Sequence, residues 1–65
     1  MLVLKYQDGE VIGKMFKNQM GYHYKIYMKL GGKLTVVGQS FVNLFDKGLC
    51  MERMITDMKL LNEIE

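Results

Sequence analysis

Between Met20 and Leu30 the chain alternates without a break. On an extended strand Met20, Tyr22, Tyr24, Ile26, Met28 and Leu30 fall on one side, and Gly21, His23, Lys25, Tyr27 and Lys29 on the other. A period of two, rich in Tyr and Ile, is the pattern of a half-buried strand. The neighbouring segments can all be placed against it.

Met1–Gln7 reads as a strand, and Asp8-Gly9 after it is a strong hairpin signal. With those two residues as the turn, Tyr6 faces Val11, Leu4 faces Gly13 and Leu2 faces Met15. A second two-residue turn at Asn18-Gln19 sets Met15 against Tyr22, Gly13 against Tyr24 and Val11 against Ile26. One face then stays apolar across three strands, and Tyr24 covers the hole left by Gly13. After Leu30, a two-residue Gly31-Gly32 turn would set Leu30 against Lys33 and Met28 against Thr35. A three-residue loop sets Leu30 against Leu34, Met28 against Val36 and Ile26 against Gly38. The second register keeps the face apolar and is preferred, with strand four at about Leu34–Ser40.

The remainder reads as helical. Ser40 is placed to cap a short turn over Phe41–Phe45, which Asp46-Lys47-Gly48 interrupts. From Leu49 the spacing puts Met51, Met54, Ile55, Met58 and Leu61 on one stripe, with Cys50 and Ile64 at its edge. Glu52, Arg53, Thr56, Lys59 and Glu63 point away, and Leu49 and Leu60 fall off the stripe. The expected fold is therefore α+β: a four-stranded antiparallel meander with one C-terminal helix on one face. It forms a single domain over 1–65, with the sheet at about 1–42 and the helix at about 49–64.

At 65 residues the core is small and the usual staples are missing. Cys50 is the lone cysteine, so no internal disulfide forms, and the single histidine makes no metal cluster. Oligomerisation is the remaining device, and a homodimer is expected. Seven methionines suit an adaptable core or a plastic interface. No apolar run reaches the roughly 20 residues of a membrane span. Met1–Tyr6 is too short for a secretory leader, so a cytoplasmic protein is expected. Charge is polarised: residues 1–33 carry a net +4 and residues 34–65 a net −2.

The sheet face opposite the helix has nothing to cover it. It is expected to present Lys5, Lys14, Phe16, His23, Lys25, Tyr27, Lys29, Gln39 and Phe41, together with Val3, Ile12 and Val37. Cross-strand rows would read Val3–Lys14–His23–Phe41 and Lys5–Ile12–Lys25–Gln39. Such a face is read in three ways: as a solvated surface, as a protein interface with an apolar patch and charged rim, or as a track for nucleic acid.

Candidates for chemistry are few. His23, the lone histidine, needs a partner within hydrogen-bond reach to act as a base. A Cys50–His23 pair would require the two sheet faces to meet. Glu52 and Asp57 lie about 140° apart round the helix, by the 3.6-residue turn, and make a poor dyad. No glycine-rich loop precedes a helix in the phosphate-binding pattern. The step Gly21-Tyr22-His23, on a strand of a strand-strand-strand-helix unit, resembles the HicA-type messenger-RNA-cleaving toxins. Those proteins begin with a helix, whereas this chain begins with a strand. The resemblance implies a ribonuclease with His23 as its catalytic residue.

The leading expectation is a small non-catalytic binding protein, a regulator or inhibitor that docks on a larger protein, as a homodimer and without cofactor or metal. Proteins of this size and make-up are common on mobile elements such as phages, an association that says nothing of mechanism. The alternatives are nucleic-acid binding through the lysine and aromatic face, and the HicA-like ribonuclease.

Overall fold

The structure, a computed structural model, describes residues 1–40 and 42–63. Four strands, β1 (Leu2–Asp8), β2 (Val11–Asn18), β3 (Gly21–Leu30) and β4 (Lys33–Gln39), form one antiparallel sheet in chain order. A helix, α1 (Lys47–Glu63), follows and lies across β2 and β3. The α+β meander expected from the alternation is the observed fold. The expected places of Phe41 and Ile64 lie outside the described residues.

Each turn departs from its expected register. In the first, Asp8 pairs with Val11, Tyr6 with Gly13 and Leu4 with Met15. The turn is centred on Gly9-Glu10: Gly9 carries φ +64, and Glu10 keeps a negative φ. A left-handed residue in first position marks the type II′ rather than the type I′ solution. In the second turn Asn18 pairs with Gly21, and Met15 with Tyr24. Asn18 Oδ1 accepts the Met20 N–H at 2.8 Å, an Asx turn that draws Met20 out of the strand. Both corrections are slips of two residues, so the side chains stay on their expected faces.

The third turn is the two-residue one, with Gly31 at φ +57 and Gly32 at φ +82. Leu30 pairs with Lys33 and Met28 with Thr35. A bulge then adds Val37 to β4, after which Ile26 meets Gly38 and Lys25 meets Gln39, as the longer loop required. Leu34 and Val36 lie before the bulge. They therefore belong to the open face and are exposed, not in the core. Val37, at the bulge, packs against the core instead of the open face. A matching bulge in β1 between Leu2 and Leu4 turns Val3 to the core and sets Leu2 opposite Phe16.

Among the described residues no helical turn follows Ser40. Its Oγ accepts the Tyr24 N–H at 3.0 Å, and its own N–H donates to the Tyr24 carbonyl. Leu44 then pairs with Tyr22 through reciprocal main-chain bonds of 2.7 Å. Asp46 caps the helix: its Oδ1 accepts the N–H groups of Gly48 at 2.8 Å and Leu49 at 3.2 Å. The helix therefore starts at Lys47, and Lys47-Gly48 form its first turn rather than an interruption.

The core is Val11, Met15, Tyr24 and Ile26 of the sheet against Cys50, Met54 and Met58 of the helix. The buried stripe runs through Cys50, Met54 and Met58, so Cys50 lies in it rather than at its edge and Met51 is exposed. Leu49 and Leu60 are exposed, as their positions off the stripe require. Gly13 faces Ile26 rather than Tyr24, and its hole is filled from the other layer. A Cβ there would lie 2.6 Å from Met58 Sδ and 2.8 Å from Met54 Sδ.

Candidate binding surface: the open face of the sheet

The corrected registers rearrange the open face into rows. One row runs Lys5–Lys14–Lys25–Gln39 across all four strands. A second runs Gln7–Ile12–Tyr27–Val36 on one side of it. On the other side Leu2, Phe16 and His23 lie abreast. Lys29 and Leu34 pair towards the Gly31-Gly32 turn. The two rows expected from the sequence, each mixing lysine with valine or isoleucine, are thus replaced by a lysine row between two apolar ones.

Of the candidate residues, Lys5, Lys14, Phe16, His23, Lys25, Tyr27 and Lys29 all lie on this face. Leu2, Leu34 and Val36 join it and were missed. The signal for Leu34 and Val36 was the glycine pair itself, whose ordinary turn is the two-residue one. Nothing in the local sequence marks the bulges.

Packing fixes several side chains on the face. Lys14 Nζ sits 5.2 Å from the centre of the Tyr27 ring, within cation–π range. Phe16 and His23 stack with centroids 5.2 Å apart and 17° between planes. His23 Nδ1 is buried with no hydrogen-bond partner among the described residues. No carboxylate lies in these rows. Three of the lysines stand side by side on adjacent strands.

The helix face holds a second feature. Tyr24, 5 % exposed, donates its phenol proton to Asp57 Oδ2 across the layers. Burial, then the bond to Asp57 and its charge, push the Tyr24 pKa well above the ordinary tyrosine value, with nearby Arg53 opposing. Asp57, read from sequence only as half of a poor dyad, is thus tied to the sheet. It also borders a groove of about 360 Å³ between β4 and α1, with Val37, Gly38, Gln39, Leu60 and Leu61. Cys50 is fully buried, and that burial raises its thiol pKa. It lies on the other side of the sheet from His23.

Among the described residues no three His, Cys, Asp or Glu side chains cluster to hold a metal, and no helix is long and apolar enough to cross a membrane. No protein-family model, curated protein or solved structure matches the chain.

Proposed function

We propose that the protein is a non-catalytic binding module that holds an extended anionic chain, single-stranded nucleic acid, on the open face of its sheet. One observation carries this reading. The Lys5–Lys14–Lys25 row places like charges directly opposite one another, with no carboxylate in the rows beside it. Like charges in that relation destabilise a sheet, and a phosphate backbone laid along the row offsets the repulsion. Phe16, His23 and Tyr27 flank the row and supply ring faces for bases. For His23 the contact is apolar stacking, and general-base chemistry calls for an orienting partner that its buried Nδ1 lacks among the described residues.

A second reading, docking on a larger protein as a regulator or inhibitor, is favoured by the exposed Leu2, Leu34 and Val36 along the margins of the same face. A titration separates the two. A fluorescent single-stranded oligonucleotide should bind, and three phosphate contacts predict an affinity loss of about 20-fold between 50 and 200 mM salt. Lys14→Glu with Lys25→Glu should abolish binding while circular dichroism stays unchanged. Binding that ignores both salt and the double variant, or no binding, counts against the nucleic-acid reading. Docking on a protein would instead respond to Phe16→Ala or Leu34→Ala with little salt dependence.

A further inference from the structure

We propose that two copies of this chain join edge to edge through β4, pairing antiparallel about a two-fold axis at Thr35. The strand order leaves β1 and β4 as edges. The β1 edge is bulged and carries Lys5 and Asp8, whereas the bulge of β4, at Val37, lies beyond the regular stretch that ends at Val36. The β4 edge has no proline, and its single charge, Lys33, stands at its start.

The register of β4 decides which of its main-chain groups are free. In a two-residue hairpin the closing pair, here Leu30 and Lys33, exchange hydrogen bonds, and bonded and unbonded pairs then alternate along the ladder. Thr35 therefore bonds inward to Met28. Leu34 and Val36, opposite Lys29 and Tyr27, turn their N–H and C=O groups outward. These two residues lie symmetrically about Thr35. A second β4 placed on a two-fold axis there pairs Leu34 with Val36 of the other copy, and Val36 with its Leu34, satisfying the free groups of all four. Their side chains, 56 % and 45 % exposed, meet across the seam on the open face.

No like charges are brought together. The apolar row Ile12–Tyr27–Val36 runs on into Leu34 of the second copy. On the helix side, Leu60 is 54 % exposed and shares the groove beside β4 with Val37, so apolar surface continues along the same edge. A second copy also supplies the staple that a core of this size otherwise lacks. The two-fold axis is perpendicular to the sheet. The product is one continuous eight-stranded sheet, with both helices on one side and both open faces uncovered on the other.

Sedimentation of the wild-type chain across the micromolar range should give the mass of two chains. Leu34→Lys with Val36→Lys should shift it to one. In an unbonded antiparallel pair the Cα atoms lie about 4.5 Å apart, so Thr35→Cys should form a covalent dimer under mild oxidation. Val36→Cys, whose partner is Leu34, should not. If the double-lysine variant fails to fold, the cross-link decides. A single-chain mass at every concentration, a dimer that persists in a folded double-lysine variant, or equal cross-linking at positions 35 and 36 overturns the proposal.

Discussion

The phenol of Tyr24, on the central strand β3, donates to Asp57 on the helix and so ties the two layers together through a polar bond inside an otherwise apolar contact. Tyr24→Phe leaves Asp57 without this donor and should cost about 1–2 kcal/mol at neutral pH. The alkaline behaviour is more diagnostic. The folded state holds the Tyr24 pKa up, so its stabilisation is complete below about pH 10, the ordinary tyrosine value, and is lost as pH rises above it. Buried Cys50 has the same sign, with its loss beginning near pH 9, the ordinary thiol value. Urea midpoints should therefore fall in two stages between neutral and strongly alkaline pH. Tyr24→Phe should flatten the later stage and leave the earlier one. An unchanged profile in that variant would remove the Tyr24–Asp57 bond from the account.

Gly13 lies under the ends of Met54 and Met58. A methyl group at this position meets both Met54 and Met58 sulfurs closer than van der Waals contact allows. Overpacking of this kind costs about 1–3 kcal/mol. Methionine ends are flexible, so the cost should be partly relieved in the double variant Gly13→Ala, Met58→Ala, measured as a positive coupling in a thermodynamic cycle. Strict additivity would mean that Met58 does not sit over Gly13.

The faces of β2 and β3 were legible because side-chain parity survives a slip of two residues: Val11, Met15, Tyr24 and Ile26 reach the core whichever turn residues are chosen. The misplaced residues sit at irregularities. Val3 and Val37 lie at bulges, and a valine suits either face of a sheet, so no local signal gives away the extra residue. The apolar pattern of β4 points Leu34 and Val36 to the core, whereas they stand on the open side, opposite Lys29 and Tyr27. The lysine row itself could not be read from composition. It appears only when three registers are each known to the residue. The Tyr24–Asp57 bond spans 33 positions and has no spacing rule to announce it.

Gly21 faces two constraints at once. Its φ is +129, and an added Cβ would lie 2.6 Å from the Leu44 carbonyl oxygen, a main-chain atom that cannot swing away. Gly21→Ala should cost about 1–3 kcal/mol in backbone strain, before any loss of the Tyr22–Leu44 pair. Gly31→Ala is the control: its φ is +57, but open space surrounds the position, so only the left-handed penalty of about 1–2 kcal/mol applies. Hydrogen exchange should show faster Leu44 and Tyr22 amides in the Gly21 variant alone. Equal behaviour of the two variants would mean that the approach of Leu44 to β3 contributes nothing.

If the lysine row is kept for binding at a cost in stability, removing one charge should stabilise the free protein. Lys25 is the informative position. It stands between Lys14 and Gln39, whereas Lys14 also holds the Tyr27 ring, a contact whose loss would mask any gain. Lys25→Gln keeps the length and polarity of the side chain and relieves the repulsion with Lys14. Cross-strand pairs are worth about 0.2–1 kcal/mol, so a stabilisation in that range is expected at low salt. It should shrink at high salt, where exposed charges are screened within about 3 Å at 1 M. The same substitution should weaken oligonucleotide binding. Opposite signs for stability and affinity, with both effects fading as salt rises, identify a charge held for a ligand. A loss of stability in Lys25→Gln would mean that the lysine stem packs the sheet and that the row is structural.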